Sequence, residues 1–509
     1  MKKIKDQLKI GIILNYINLI VGNLIPIFYT PIMLELLGQN EYGLYKLASS
    51  VTSYVSLMSL GIGSAMTRYL IKSRTEEGKE AEQKIFGLFS VIFTVIGIAA
   101  FIVGTILTLC LGLFYGNSLS SEEISRMKVL VFMMVINMAV SFVVSPFLSV
   151  VNSHEKFIFI QVTNILTTCV TPLINLLMLY MGYASIGLVA SSMIMCIAIN
   201  ISYIIYVRKS MQIKPIFKNL PTNILKEILK FSFWIFVSNI VNQLFNATDT
   251  VLIGAIPTLA TTGVAIYNIG QTFNNIMFSI TTALSSLLGP KINKMVFNNA
   301  SNDEISDVAI KVARIQSYIM LLIVSGFIVF GRPFIQLYAG DGYEDSYFVA
   351  VIMMIPCLVP PIQSVFLSAT VARNKHKFRS IVYCFIALLN LTGTWILLHS
   401  HGIIGAAFMT GISFIIGHGF IMNFYYSKIM RFNILKFWKS ILKLFIIPLF
   451  MCLISLLLSK IIDFYNLKNL IITIILYSFI YIILNYIFVM NDYEKSLIKN
   501  VLKKIIYRK

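Results

Sequence analysis

The sequence predicts an all-α integral membrane protein: about fourteen transmembrane helices, arranged as two pseudo-symmetric six-helix lobes around a central cavity plus two C-terminal helices. Three observations predict it. Apolar segments long enough to cross a bilayer recur from one end of the chain to the other. Of 509 residues, 58% are hydrophobic and 12% are charged, about half the charge of a soluble protein. Positive charge collects on every second connection between the apolar segments.

Crossing about 30 Å of hydrocarbon takes about 20 residues at helical rise. Lipid offers no partner to backbone polar groups, so the spans must be helices. They are expected at about 10–34, 43–71, 85–115, 127–151, 158–181, 185–207, 231–255, 263–290, 314–338, 347–371, 379–399, 403–427, 442–462 and 469–489. All but six of the 41 Lys and Arg (Lys46, Arg126, Lys128, Arg332, Lys460 and Lys468) fall on the N-terminal side, the even-numbered connections or the C-terminal tail. That asymmetry puts both termini in the cytoplasm. It also assigns the net charge of +20 to topology and anionic headgroups rather than to nucleic acid. The opening Met-Lys-Lys-Ile-Lys-Asp is similar to the start of a secretory signal. The apolar stretch behind it is too long and lacks a small-residue cleavage site, so an uncleaved first span is expected. Cys110, Cys169, Cys196, Cys357, Cys384 and Cys452 lie inside spans without disulfide or zinc spacing and read as packing residues.

The longest polar connection, 208–230, carries Pro215 and Pro221 and reads as a linker between halves. The expected domains are 1–210 (spans one to six), a cytoplasmic linker at 211–230, 231–430 (spans seven to twelve), and 431–509 (spans thirteen and fourteen with a basic cytoplasmic tail). A short interfacial helix is expected within 291–313. Another is expected over 428–443, where basic and aromatic residues alternate. His154-Glu155-Lys156-Phe157 opens span five and Lys375-His376-Lys377-Phe378 opens span eleven. Six-span halves of equal orientation are a common transporter plan.

Polar side chains are expensive in lipid unless they face protein or water, and here they form stripes. On span seven, Asn239, Asn242, Gln243, Asn246 and Asp249 recur at helical spacing. On span eight the stripe is Asn268, Gln271, Asn275, Ser279 and Ser286; on span one, Asn15 and Asn18 beside Gly22 and Pro26; on span two, Ser49, Thr52, Ser53 and Ser56; on span five, Gln161, Asn164, Thr168 and Asn175. Two readings follow: a wet cavity lined by these groups, or hydrogen bonding between packed helices. As cavity residues the candidates are Asn15, Asn18, Ser53, Asn239, Asn242, Gln243, Asn246, Asn268, Gln271 and Asn275. Amides and hydroxyls both donate and accept, which suits a sugar-bearing cargo. Asp249 is the clearest buried charge and a candidate for coupling or gating, with Lys46 as its candidate partner; the alternative is a carboxylate that reaches the outer surface. Arg68 either snorkels to headgroups or meets a phosphate. His399 and His401 lack further ligands for a metal, and His418 reads as a packed histidine. No cofactor is expected: there is no Walker loop, nucleophile elbow or zinc-helix motif.

The opening pair of spans carries a family signature. Tyr29-Thr-Pro31-Ile-Met-Leu-Glu-Leu-Leu-Gly38-Gln-Asn-Glu-Tyr42-Gly43-Leu-Tyr45 and Ser59-Leu-Gly61-Ile-Gly63-Ser-Ala-Met-Thr-Arg68-Tyr69, with Thr248-Asp249, Pro290-Lys-Ile and the two repeated loops, resemble the multidrug/oligosaccharidyl-lipid/polysaccharide (MOP) exporter superfamily. Within it the chain resembles the Wzx-type oligosaccharide flippases of bacteria, over about residues 8–430. The resemblance implies a two-lobed bundle whose cavity opens alternately to each side. It implies a polyprenyl-diphosphate-linked oligosaccharide as cargo, moved across the bacterial cytoplasmic membrane for capsule, exopolysaccharide or cell-wall polymer synthesis. The polymerase and glycosyltransferases of that pathway would be partners. Family cavities hold the diphosphate with cations, and Arg68 and Lys291 are the candidates here. Asn242-Gln243 departs from the charged pair expected of relatives, so no charge-coupled mechanism carries over at that position. A cation-coupled multidrug exporter, or a membrane polysaccharide polymerase or ligase, are the alternatives; the short outer connections disfavour an enzyme.

Overall fold

A computed structural model describes residues 2–286, 289–373, 375, 377–458 and 462–506. His376 and Lys460, and the side chains of Ser286 and Pro290, lie outside the described residues. Among those described, the regular structure is entirely helical. The helices are α1 (Lys2–Leu37), α2 (Gln39–Ser53), α3 (Ile62–Glu76), α4 (Lys79–Tyr115), α5 (Ser121–Ser153), α6 (Phe157–Tyr180), α7 (Ala184–Ile205), α8 (Leu225–Gly254), α9 (Ala260–Ser286), α10 (Gly289–Phe297) and α11 (Asn302–Ala339). They continue with α12 (Ser346–Ile362), α13 (Ser364–Ala372), α14 (Lys377–Ile429), α15 (Ile434–Leu458), α16 (Leu467–Phe488) and α17 (Asp492–Ile506).

Nine helices among the described residues are long and apolar enough to span, and the pair α12–α13, bent by 45°, makes a tenth. Gly402 (φ 59, ψ −147) breaks α14, so this one long helix supplies two spans. The helices α2–α3, α8 and α9 are less apolar than these because polar stripes run along them. Counting them, the architecture is consistent with the fourteen spans expected. The second span is not continuous, as the sequence reading had it. A 3-10 turn (Tyr54–Ser59) and two left-handed residues, Leu60 (φ 49) and Gly61 (φ 68), separate α2 from α3. The helix starts follow capping chemistry. Ser120 with Glu123 and Ser301 with Glu304 form capping boxes at the heads of α5 and α11. Short helices occur at the two positions where interfacial helices are expected, as α10 and as the amphipathic start of α15, Ile434–Leu442.

The chain forms two compact units, Met1–Ala265 and Ile266–Lys509. This grouping by packing differs from the expected partition at 211–230, because α8 packs within the first unit. The first unit holds an aromatic and aliphatic core around Phe86, Phe89, Phe93, Met66 and Leu70, with Phe86 and Phe147 edge to face at 5.1 Å. Outside it, apolar side chains such as Phe28 (71% exposed) and Leu113 (85%) are exposed, as suits a membrane-spanning protein.

An internal repeat is written in the backbone. Phe159 stacks on Tyr206 (3.9 Å) and Phe378 on Tyr425 (4.5 Å). Tyr206 and Tyr425 each open a widened π turn. The amides of Met211 and Met430 donate to the carbonyls of Tyr206 and Tyr425, and those of Lys156 and Lys375 to Val151 and Thr370. All these pairs share one sequence offset. That offset aligns His154 with Arg373, not with Lys375, so the resemblance of the two loops by letters is two residues out of structural register. His154 donates to or accepts from buried Glu82 (2.7 Å), which Arg74 also reaches (3.3 Å).

In the second unit, α11, α15 and α17 meet at a buried ion pair. Arg314 engages Glu494 through both carboxylate oxygens (2.5 and 2.9 Å), and the pair is 8% and 4% exposed. Arg314 also donates to the carbonyls of Val489 (3.0 Å) and Ser440 (3.2 Å), and the Tyr318 hydroxyl donates to Glu494 (3.0 Å). Burial pushes the Glu494 carboxyl up, but the Arg314 guanidinium, the Asn491 backbone and Tyr318 outweigh it and hold the group below the usual carboxylate range. A depressed folded-state value stabilises above the unfolded value of about 4.3 and is lost as pH falls through the folded value. Glu494→Gln should therefore cost about 3–5 kcal/mol of local stability at neutral pH, with the mutant and wild type converging in acid; hydrogen exchange of the α17 amides measures this.

Candidate functional site

The first unit is organised around α8, which lies along the broken α2–α3 span. Small residues permit the approach. A Cβ on Gly61 would meet Ile235 at 2.6 Å, and one on Gly254 would meet Leu47 at 2.6 Å. A Cβ on Gly43 would collide with the carbonyl of Thr261. Gln243 donates its amide N–H to Ser53 Oγ. One residue on, the Tyr54 hydroxyl and Thr248 Oγ1 share a hydrogen bond of 2.6 Å.

The amide stripe divides along α8. Asn239 and Gln243 are half-buried, and Asn242 and Asn246 are exposed. Asn246 Nδ2 donates to the Asn242 carbonyl one turn back (2.8 Å), which orients the pair along one face. Thr248, Asp249 and Thr250 are buried at 4%, 1% and 0% exposure. Asp249 is therefore an interior carboxylate and not one that reaches the outer surface. Lys46 lies over the Tyr42 ring at 5.4 Å.

Beyond Asp249 this end of the unit is tied together. Ser118 Oγ donates to the Gly254 carbonyl (2.8 Å) and the Tyr115 hydroxyl to that of Val251 (3.4 Å). Thr262 and Thr261 donate to Asn40 Oδ1 (3.0 and 3.5 Å), and Thr261 also reaches Glu123 (3.4 Å). Glu41 accepts from Arg126 and from Ser185.

The other stripes resolve differently. Asn18 accepts from Thr168 Oγ1 (3.3 Å) and Asn175 donates to the Tyr29 hydroxyl (2.8 Å). The stripes of α1 and α6 thus face each other, while Asn15 is exposed. In the second unit Asn268 and Gln271 are buried (7% and 9%), Asn275 is exposed, and Gln316 donates to the Thr281 carbonyl (3.2 Å). Arg68 is exposed, with its guanidinium 5.1 Å from the Phe231 ring. Lys291 is exposed on α10. His418 accepts from or donates to the Tyr383 hydroxyl (3.3 Å) and stacks on Phe414. Among the described residues, no group of three or more His, Cys, Asp or Glu is placed to hold a metal. The sequence reading did not single out Tyr54 or Thr261, and quoted Asn40 and Thr248 only within the family signature. Each is a single hydroxyl or amide whose partner lies on another helix, and no local spacing announces that.

On α8, Asn242 and Asn246 leave an uncharged amide face accessible. It can exchange hydrogen bonds with a polar, neutral cargo, and amides and hydroxyls of this kind supply neither an activated nucleophile nor an acid–base pair. Gly43 offers a direct test of the packing: Gly43→Val should lower the melting temperature, by about 1–3 kcal/mol of overpacking strain, and Gly112→Ala, where no atom stands within 4 Å, should not; thermal unfolding in detergent compares the two.

Residues 32–348 match the family described as "Polysaccharide biosynthesis protein". No curated protein sequence matches this chain. Among solved structures it is similar to the lipid II flippase MurJ in an inward closed conformation, with a TM-score of 0.74 at 16% identity, covering 94% of this chain and 98% of that one. It is also similar to an inward-facing multidrug resistance MATE family transporter of the MOP superfamily (TM-score 0.61, 12% identity, 83% and 95% covered). A third likeness is to the Vibrio cholerae MATE transporter VcmN in its bent form (TM-score 0.52, 17% identity, 82% and 96% covered). At these identities the structures establish the fold, and the family match covers more than half of the chain. The protein is a multi-pass membrane protein of the polysaccharide biosynthesis family, built on the fold of the MOP superfamily.

Proposed function

We propose that this protein is a flippase that moves a polyprenyl-diphosphate-linked oligosaccharide across the bacterial cytoplasmic membrane by alternating access, for capsule, exopolysaccharide or cell-wall polymer assembly. The observation that carries the reading is the exposed, uncharged pair Asn242 and Asn246 on α8, beside the Gln243–Ser53 hydrogen bond. Polar groups exposed at this depth are costly against acyl chains, so they mark a watery path. Their chemistry matches sugar hydroxyls, which donate and accept in the same way. The lipid tail stays in the bilayer, and the diphosphate meets exposed cations toward the cytoplasmic side, Arg68 and Lys291. On this reading the transporting halves are 1–210 and 231–430, joined by 211–230, with 431–509 outside the repeat and both termini cytoplasmic. The shared backbone hydrogen bonds of the two halves support that division. The polymerase and glycosyltransferases that make and consume the glycan are the partners this role requires.

Buried Asp249 favours a second reading, cation-coupled export, in which the carboxylate exchanges a proton or sodium ion between states. Only a ligand that binds one state better can bias the cycle, and a carboxylate that is buried in one state and wet in the other provides such a difference.

Asn242→Leu with Asn246→Leu should abolish complementation of a flippase-deficient strain while membrane insertion stays at wild-type level. Full complementation would remove the basis of the proposal. Asp249→Asn distinguishes the second reading: it should leave glycan export within about threefold of wild type if the carboxylate is structural, and abolish its dependence on the ion gradient if it couples.

A further inference from the structure

A second polar feature lies inside the first unit, apart from the exposed face of α8. It is a cavity of about 420 Å³ bounded by α2, α5 and α7, a volume in the range of small-molecule sites. Its hydroxyls follow the habit of the other helices and donate within their own helix. Thr52, Ser141 and Ser192 direct hydroxyl protons to the carbonyls of Ala48 (2.8 Å), Asn137 (2.8 Å) and Leu188 (3.0 Å), each one turn back on its own helix; Thr52 also reaches Met134 Sδ (3.7 Å), and Ser141 shares a contact of 3.0 Å with Cys196 Sγ. Each hydroxyl oxygen keeps lone-pair capacity to accept. Asn137 Oδ1 is buried and accepts no hydrogen bond from the described residues. Such a group costs free energy unless a ligand or water reaches it. The remaining wall is apolar and soft: the Tyr45 ring, Met134, Met138 and Val189. The described residues that line it are all uncharged.

We propose that this cavity is a subsite for one neutral sugar ring, whose hydroxyls donate to Asn137 Oδ1 and to the serine and threonine oxygens while its C–H faces lie on Tyr45 and the two methionines. The inference rests on the flippase reading for the identity of the cargo. It assigns a glycan position inside the α2–α5–α7 bundle, which that reading does not require. Ser53 connects the two, because it lines the cavity and accepts from Gln243 of α8. A ring entering here would disturb that hydrogen bond and so report its arrival to the transport face. The match is one of complementarity. Acceptors whose protons are already committed want a donor-rich ligand, and an uncharged wall gives ions no strong preference. Flat apolar surface with scattered oxygens is also what a pyranose itself presents.

The test uses the full-length protein in detergent with ¹³C-methyl methionine. Met134 and Met138 are two of 23 methionines and are assigned by Met134→Leu and Met138→Leu. Methyl glycosides of glucose, galactose and N-acetylglucosamine are titrated in turn, with sodium chloride against choline chloride as the ionic control. At least one glycoside should shift both methyl signals and leave the remote methionines in place. Asn137→Leu should raise the half-shift concentration about tenfold or more, the equivalent of one lost hydrogen bond to a buried acceptor, and Ser192→Ala about threefold. Unchanged signals from the remaining methionines certify that each variant is folded. No response to any of the three sugars overturns the proposal, as does a response to sodium in place of sugar. The transport reading is judged separately by complementation. A chain that complements but ignores the glycosides loses only the subsite, and one that binds them but moves no glycan keeps the subsite and loses the transport role.

Discussion

The bilayer's refusal to solvate polar groups governs this molecule. Every backbone amide in a span must be paired within its own helix, and every polar side chain must find protein or water. The side chains obey this in two ways. Hydroxyls return their protons to their own helix, as Thr108 does to Gly104 (2.8 Å) and Ser191 to Gly187 (2.7 Å). Amides pair across helices, as Asn175 does with Tyr29. Asn242 and Asn246 keep an exposed face, and the proposed function is read from that exposure.

Close approach and chain breaks decide where the departure falls. Gly43, Gly61 and Gly254 let neighbouring backbone and side chains approach α2, α3 and α8 at distances no Cβ would allow. The left-handed pair Leu60–Gly61 turns the second span at the level of Ile235. Gln363 ends one half of the α12–α13 pair and begins the other, and Gly402 does the same within α14. Prolines 356, 360 and 361 lie just before the first of these breaks, where missing amide donors weaken the helix. These are bends fixed by covalent geometry, and they place polar residues at angles a straight helix would not reach.

Charge is handled at the ends of the helices and not in the middle of the spans. Buried Glu82 pairs with half-buried His154 and Arg74, and Arg314 with Glu494 forms a buried pair. The second fastens the C-terminal helix to α11 and α15. Along residues 231–254 of α8, Asp249 is the one ionisable residue, and it is buried between two buried threonines. In the proposed transport role, an accessible α8 face of amides rather than charges favours a cargo whose polar part is neutral over most of its length.

Much of this was legible in the residue order. Apolar length, Lys and Arg asymmetry and the opening motif establish the helical membrane class, because hydrophobic thickness is a property that each segment meets by itself. The stripe on α8 was legible for the same reason: periodicity follows from the helix alone. What a stripe abuts is not periodic. Asn18 and Asn175 carry the same signature as Asn242, yet they meet partners on the neighbouring helix, whereas Asn242 stays exposed. The turn at Leu60–Gly61, the register of the repeat and the pairing of Tyr54 with Thr248 depend on the fit of surfaces distant in sequence. Residue order by itself determines which face of a helix is polar; only the packed structure decides whether that face finds a partner or water, since the contact is made by residues that no local spacing connects.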